Sequence, residues 1–143
     1  MHNPSNLRVR ARAFDFVVAL YKAYQRQPAR TARGAPGLCP QLLRAATSIS
    51  SNIVEGAGHE SAAKVAHYVT IAIASANEAE LQLQLAVELD LFKVEGPRFI
   101  AEVQEIRKML FGWRKRVRLD AGSPSPDLCL RCLPGSHLAP FGR

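Results

Sequence analysis

The chain has 143 residues, of which 48% are hydrophobic, and a formal net charge of +7. This length and composition suit one domain with one ordinary core. No apolar run approaches the roughly 18 residues of a membrane span, and the N-terminus lacks the apolar stretch of a secretion signal. Three cysteines are an odd and sparse set for a disulfide framework. We therefore expect a cytoplasmic protein.

The charge is distributed unevenly along the chain. Residues 1–44 carry eight Lys or Arg and one acidic residue, residues 45–105 carry three and nine, and residues 106–118 carry six and none. In an antiparallel bundle the first and last helices are commonly neighbours, so the two basic segments could form one surface that attracts a polyanion. Alternatively, the acidic middle segment could neutralise them within the subunit or across a subunit contact.

The first predicted helix spans about residues 5–27. Apolar residues at helical spacing predict its core-facing stripe, which consists of Leu7, Ala11, Phe14, Val18 and Tyr21 and is widened by Val17 and Tyr24. Pro28 and the glycines of residues 34–37 then interrupt the helical period. We therefore expect a basic loop there, containing Arg30 and Arg33.

The second predicted helix carries an apolar and a polar stripe side by side. The apolar stripe alternates spacings of four and three and consists of Leu38, Leu42, Ala45, Ile49 and Ile53. The polar set borders it at similar spacings: Gln41, Arg44, Ser48, Asn52 and Glu55. These side chains either satisfy one another at a helix contact or form a solvated flank. Pro40 suits the first turn, and Gly56 and Gly58 suit the end of the helix.

The third predicted helix begins after Ser61, a suitable N-cap residue. Its core-facing stripe is rich in alanine: Val65, Tyr68, Ala72, Ala76, Ala79, Leu83 and Ala86. A polar row flanks this stripe: Ser75, Glu78 and Gln82. We hypothesise that this row and the polar stripe of the second helix form a structural network.

Four apolar residues of the third helix lie off its stripe: Ile71, Ile73, Leu81 and Leu85. A helix that is apolar over more than one face needs a second partner, which can be another helix of the bundle or another subunit. These residues therefore predict an oligomer with a specific subunit interface.

The fourth predicted helix follows Gly96, with Pro97 in its first turn. Its predicted inner face consists of Phe99, Val103, Ile106, Leu110 and Trp113. The candidate nucleic-acid-binding residues lie off this face: Arg107, Lys108, Arg114, Lys115, Arg116 and Arg118. Because residues 106–118 contain no acid, we expect these cations to lack local partners and to contact phosphates. Since Trp113 falls on the inner face, charge should dominate over aromatic stacking.

The remaining residues predict no active site. We expect residues 1–120 to form the bundle domain and residues 121–143 a flexible tail. Cys129 and Cys132, with His137 and the distant Cys39, are a weak basis for a zinc site, so we predict no metal. Phosphate-binding loops, dinucleotide turns and nucleophile elbows are absent from the sequence. We therefore expect no enzymatic activity, no cofactor and no small-molecule substrate.

Two sequence motifs carry a resemblance to a known family. The run R-A-A-T-S-I-S-S-N-I-V-E-G from Arg44 to Gly56 is similar to the pattern R-A-A-x-S-I-P-x-N-I-x-E-G of the 23S rRNA-intervening sequence proteins. The run A-S-A-N-E-A-E-L-Q-L-Q-L-A from Ala74 to Ala86 is similar to the segment G-S-x-x-E-L-E-x-Q-L of the same family. The two motifs follow in the family's order and at about its distance, and the resemblance covers about residues 7–118.

Three positions depart from the family pattern. Leu43 stands where the family usually has a second arginine, Ser50 replaces the proline, and Ala74 replaces the glycine. The fold that the resemblance implies is an all-α, up-down-up-down antiparallel four-helix bundle that assembles into a ring-like homo-oligomer, a pentamer.

The same fold resembles that of the accessory variability determinant of diversity-generating retroelements, a basic partner of a reverse transcriptase. This likeness rests on architecture and charge. Our leading hypothesis is a non-enzymatic scaffold that binds RNA, DNA or a ribonucleoprotein through basic helices, as an accessory to a reverse transcriptase. The alternative is a structural protein-interaction module with a protein partner and no nucleic-acid binding.

Overall fold

The computed structural model describes residues 4–27 and 35–122. These residues form four α-helices and no strand: α1 (Pro4–Gln25), α2 (Leu38–Ala57), α3 (Ala62–Glu88) and α4 (Gly96–Gly122). None of these helices is long and apolar enough to cross a membrane. Several residues named above lie outside the described part of the chain: Arg30, Arg33, Cys129, Cys132 and His137.

The four helices pack as a bundle in which each helix contacts its two neighbours. The contacting pairs are α1 with α2, α2 with α3, α3 with α4, and α4 with α1. Arg12 of α1 pairs with Glu102 of α4, and Arg26, just after α1, pairs with Glu95, just before α4. Because positions rise along α1 as they fall along α4, these two helices are antiparallel. The contacts fit an up-down-up-down order.

The predicted inner faces of α2, α3 and α4 are largely confirmed. In α2, all five stripe residues except the half-buried Leu38 are buried. In α3, the five residues from Ala72 to Ala86 of the stripe are fully buried, whereas Val65 and Tyr68 are only partly covered. All five predicted inner residues of α4, from Phe99 to Trp113, are buried. Regular helical spacing was therefore sufficient to place the core on three of the four helices.

The main stripe predicted for the inner face of α1 is wrong, although Val17 and Tyr24, which were predicted to widen it, pack against the core. The buried residues of α1 are Val9, Ala13, Phe16, Leu20 and Ala23. The predicted residues Leu7, Phe14 and Tyr21 are exposed, and Phe14 is 62% exposed. The two sets are offset by two positions, which is about 200° around an α-helix, so they lie on opposite faces. Both sets have helical spacing, and periodicity alone does not tell which of two apolar stripes meets the core.

The residues of α3 off its inner stripe have different environments. Ile73 is buried and Ile71 is half-buried, whereas Leu81 and Leu85 are exposed. Helix α3 begins directly after Ser61, as predicted, although the Ser61 side chain makes no capping hydrogen bond. Among the described residues, two apolar surfaces are therefore exposed, one on α1 and one on α3.

The end of α2 is shaped by a close approach of helices. A Cβ atom on Gly56 would lie 3.1 Å from Tyr68 Cβ of α3 and 3.8 Å from Trp113 Cη2 of α4. Gly58 caps the helix, and its N–H donates to the carbonyls of Val54 and Glu55. Gly56 therefore does more than end α2, because its missing side chain lets three helices converge.

Candidate nucleic-acid interface

The polar rows of α2 and α3 meet at a hydroxyl pair. The hydroxyl oxygens of Ser48 and Ser75 are 2.9 Å apart and share a hydrogen bond between the helices. Asn52 Nδ2 donates to the Ser48 carbonyl at 2.8 Å and to the Ser48 hydroxyl at 3.1 Å. Ser75 is buried and the other two are half-buried. The structure thus brings three of the seven proposed network residues together.

The other four proposed network residues do not join this cluster. Gln82 Nε2 donates to Glu78 Oε1 at 3.0 Å, within α3. Arg44 and Glu55 are exposed on α2, and the nearest ionic neighbour of Glu55 is His59 Nε2 at 3.7 Å. The contact between the rows is therefore a small hydroxyl and amide cluster without an ion pair across it.

The first half of α4 is tied to its neighbours by ion pairs. Arg12 Nε donates to Glu102 Oε1 at 2.5 Å, and this hydrogen bond raises the pKa of Arg12 above its ordinary value. On the opposite flank, Arg107 Nη1 donates to Glu80 Oε2 of α3. Gln104 Nε2 donates to the other oxygen of the same carboxylate at 2.6 Å. These contacts join α4 to both neighbouring helices.

The expectation that all six α4 cations lack local partners is therefore wrong for two of them. Besides Glu80, Arg107 also reaches Asn77 Oδ1 at 2.9 Å, and Lys108 Nζ lies 3.4 Å from Glu105 Oε2 one turn earlier. The sequence range 106–118 excluded the acids that supply these partners, one on another helix and one just outside the range. The neutralisation that we considered as an alternative thus applies to the first half of α4.

The second half of α4 carries four cations without such partners, which we call the basic cluster: Arg114, Lys115, Arg116 and Arg118. Within residues 4–27 and 35–122, no carboxylate forms an ion pair with any of them. Lys115, Arg116 and Arg118 are exposed, and Arg114 is partly exposed. Because α1 and α4 are antiparallel, exposed Arg8 lies at the same end of the bundle. Unpaired positive charge is thus clustered along the second half of α4.

An exposed aromatic ring lies beside the basic cluster. Phe111 is 44% exposed, and the Arg114 guanidinium carbon lies 4.9 Å from the centre of its ring. An open cavity of about 400 Å³ is lined by Phe111, Arg114, Lys115, Arg118 and Leu119. The sequence reasoning considered only Trp113 as an aromatic contact and missed Phe111. The signal was available, because Phe111 falls outside the inner stripe of α4 and among cations.

Comparison with known proteins gives the family. The profile of the 23S rRNA-intervening sequence proteins matches residues 5–112. The chain belongs to this family. A similar solved structure is that of a protein of unknown function from the S23 ribosomal protein family of Bacteroides thetaiotaomicron VPI-5482. It is 25% identical, has a TM-score of 0.70 and aligns over 78% of this chain and 98% of that chain. Among curated proteins, none matches.

The first family motif occupies the α2 contact described above. Ser48 and Asn52 form the polar cluster, and Gly56 permits the close approach to α3 and α4. Leu43, which stands in place of the family's usual second arginine, is buried in the core. Ser50, in place of the proline, has a buried hydroxyl with no hydrogen-bond partner among the described residues. This member of the family therefore uses its motif for helix packing.

The described residues contain no arrangement typical of a metal or catalytic centre. No group of three or more His, Cys, Asp or Glu side chains lies close enough to hold a metal ion in the part of the chain that the structure covers. Cys39 is buried, and burial raises the pKa of its thiol. A raised pKa disfavours the thiolate, which is the nucleophilic and metal-binding form. The solved family member is a protein of unknown function, and the part of this chain that the structure describes shows no catalytic signature.

Proposed function

We propose that this protein is a non-enzymatic oligomeric scaffold that binds nucleic acid, or a ribonucleoprotein, through the second half of α4. One observation carries the proposal: the four cations of the basic cluster lie on one short segment without carboxylate partners in the described residues. Cations that are already solvated and unpaired need not break ion pairs to meet phosphates. Each phosphate contact then releases condensed counterions, which makes binding favourable and dependent on salt.

Assembly of several subunits would multiply this surface. The outer stripe of α1 (Leu7, Phe14 and Tyr21) and the outer stripe of α3 (Leu81, Leu85 and Leu89) are exposed. Helices α1 and α3 lie across the bundle from each other, so the two stripes face different directions. Two different faces on opposite sides suit a head-to-tail contact, which closes into a ring when the rotation permits. We propose such a ring, with five subunits as the family resemblance implies.

Charge complementarity also supports contact between the two stripes. Arg10 and Lys22 flank the outer stripe of α1, whereas Glu78 and Glu88 flank the outer stripe of α3. All four residues are exposed in the subunit. Opposite charges around apolar surfaces favour the pairing of unlike stripes over the pairing of two α1 stripes, which would place cations against cations.

A reverse transcriptase is the partner that we propose for the assembled ring. This proposal rests on the likeness to the accessory variability determinant, and gene neighbourhood tests it. A reverse transcriptase gene with a repeat pair beside this gene would support it, and a neighbourhood that holds neither would remove it. The competing function is a protein-interaction module, which has the same bundle and assembly but no affinity for phosphates.

The binding test replaces the basic cluster by glutamine: Arg114, Lys115, Arg116 and Arg118. Structured RNA and duplex DNA are titrated at two salt concentrations by fluorescence anisotropy. We expect wild-type affinity to fall steeply with salt, by about 0.7 to 0.9 log units per tenfold change in salt for each phosphate neutralised. The variant should bind much more weakly and show a smaller slope.

A matched control variant removes the same charge from the other end of the bundle. It replaces four exposed cations by glutamine, none of which flanks the outer stripe of α1: Arg26, Arg44, Lys93 and Arg98. Its net charge equals that of the basic-cluster variant, so retained binding would show that position, and not total charge, decides affinity. If wild type shows no salt-sensitive binding, or if both variants bind alike, the phosphate-contacting role is wrong and the protein-interaction module takes its place.

The assembly test uses two variants that each remove one face. Phe14→Lys places a charge in the outer stripe of α1, and Leu85→Lys places one in the outer stripe of α3. Light scattering should find wild type as a closed oligomer and each variant alone as a monomer. Mixed together, the two variants should form a dimer, because each retains the face that the other lacks.

The dimer in the mixture is the decisive outcome for a head-to-tail contact. If only α1 stripes paired with each other, Leu85→Lys would assemble normally and the mixture would hold no new species. A wild-type protein that stays monomeric at micromolar concentration would remove the ring altogether.

A further inference from the structure

We propose that Phe111 is a stacking platform for unpaired bases, so that the basic half of α4 binds single-stranded or looped nucleic acid in preference to a continuous duplex. This inference rests on the proposed function, since it names the class of nucleic acid which that surface takes. Sequence alone favoured charge without stacking, because the only tryptophan faces the core. The exposed ring of Phe111 supplies the aromatic group that was missing.

The surroundings of Phe111 match the needs of a nucleotide. Arg114, Lys115 and Arg118 follow it at three, four and seven positions, so they lie within about two helical turns on the same side of α4. All three line the open cavity of about 400 Å³ together with the ring. A base can therefore stack on apolar ring surface while cations one and two turns away meet its flanking phosphates. Single-strand binding sites combine these same two elements.

Arg114 contributes to the platform itself. Its guanidinium carbon lies 4.9 Å from the ring centre, which is within the range of a cation–π contact. Guanidinium planes and aromatic rings are the two protein surfaces on which unpaired bases stack. The contact also holds Arg114 beside the ring, so less side-chain freedom is lost when a strand binds.

The other exposed phenylalanine of the described residues has different neighbours. Phe14 belongs to the outer stripe of α1, with Leu7 and Tyr21 seven residues away on each side. It has no cation over its ring in the described structure, whereas Phe111 does. Phe14 thus fits the subunit contact proposed above. Phe111 fits an anionic ligand with exposed planar rings, such as a nucleic acid with unpaired bases. Duplex bases do not fit this ligand class, because their faces are already stacked on one another.

The basic cluster contains an internal control for this geometry. Arg116 is five positions from Phe111, which is about 140° around the helix, and it does not line the cavity. We therefore expect Arg116→Gln to weaken single-strand and duplex binding by the same small factor. In contrast, Phe111→Leu keeps every charge and most of the apolar volume but removes the aromatic face.

The affinity test compares a single strand with a duplex of the same length, each as RNA and as DNA. Phe111→Leu should weaken single-strand binding about 5- to 150-fold per engaged site, the range measured for loss of one stacked base, and should leave duplex binding unchanged. Size-exclusion chromatography and circular dichroism check that the variant assembles and folds. Equal effects on single strand and duplex would overturn the proposal while leaving the phosphate-contacting role intact.

A fluorescence test reports stacking directly. Wild type has one tryptophan, Trp113, which is buried and should respond little to a bound strand. Phe111→Trp places an indole on the platform, and its emission should be quenched by a single strand but not by a duplex. Val94→Trp is the matched control, because Val94 is 90% exposed at the other end of the bundle and belongs neither to the basic cluster nor to the outer stripes.

Four outcomes separate the proposals. Quenching of Phe111→Trp alone supports the platform. Quenching of neither variant, in protein that still binds nucleic acid with a steep salt dependence, overturns the platform and leaves the proposed function standing. Wild type that binds no strand or duplex at any salt concentration overturns both, and loss of assembly in Phe111→Leu would make this ring a subunit contact instead.

Discussion

The two halves of α4 carry similar basic residues but use them differently. In the first half, Arg107 lies against α3 and shares the Glu80 carboxylate with Gln104. In the second half, Lys115 and Arg118 are exposed beside Phe111 with no ion-pair partner among the described residues. The inner face of the helix is apolar throughout, from Phe99 to Trp113. What changes along α4 is the supply of acids on the neighbouring helices.

This difference shows why a count of charges along the chain does not locate a binding surface. Acidic residues of the neighbouring structure, Glu80 and Glu95, lie toward the end of the bundle that holds the first half of α4. Cations at that end form ion pairs between helices, so their removal should lower the stability of the fold. Cations of the second half have no such role, so their removal should affect binding and leave folding nearly unchanged.

Breaking one charge in each half sharpens this comparison. Against the first half of α4 lies Glu80 of α3, whose side chain is only 13% exposed and accepts hydrogen bonds from two residues of α4. In the second half, Lys115 is exposed. Glu80→Ala leaves Gln104 without its acceptor and Arg107 with only Asn77, and we expect a loss of about 1–3 kcal/mol in the free energy of unfolding. Lys115→Ala should change it by less than about 0.5 kcal/mol. Urea unfolding measures both.

The double variant Glu80→Ala with Arg107→Ala adds a control. Removing both partners should cost less than the sum of the two single losses, because no unpaired guanidinium remains. If Lys115→Ala were as destabilising as Glu80→Ala, the two halves of α4 would not differ in the way that we describe.

The sequence predicted the fold well because three helices carry one dominant apolar stripe each. It failed on α1, where Leu7, Phe14 and Tyr21 form a stripe as regular as the one that is buried. A single sequence does not reveal which of two equally regular stripes meets the core. Only the structure therefore shows that Leu7, Phe14 and Tyr21 lie on the surface.

The candidate site was predicted in outline and missed in detail. The sequence located the cations of α4, but it did not show that Arg107 faces Glu80, since that pairing depends on the register between α3 and α4. The sequence prediction also set aside aromatic stacking, because it considered only Trp113, which falls on the inner face. Phe111 could have been noticed, because its position is off the inner stripe, but its contact with Arg114 depends on side-chain rotamers.

The basic half of α4 is held in position by packing on its inner side. On its inner side, Trp113 is only 3% exposed and lies near Gly56, where α2, α3 and α4 converge. Gly112 is the adjacent residue of α4, and a Cβ atom added there would meet nothing within 4 Å. The fold therefore requires the absence of a side chain at Gly56 but not at Gly112.

Gly56→Ala and Gly112→Ala should therefore change stability in opposite directions. The added methyl at Gly56 would lie 3.1 Å from Tyr68 Cβ, an atom fixed to the backbone that cannot rotate away. Helices α2 and α3 would have to separate slightly, at a cost of about 1–3 kcal/mol, as in an overpacked core. Gly112→Ala should instead stabilise the protein by up to about 1 kcal/mol, because alanine favours a helix and restricts the unfolded chain. Thermal unfolding of both variants decides this, and a stabilised Gly56→Ala would mean that the three helices have room to separate and that Trp113 is not tightly clamped.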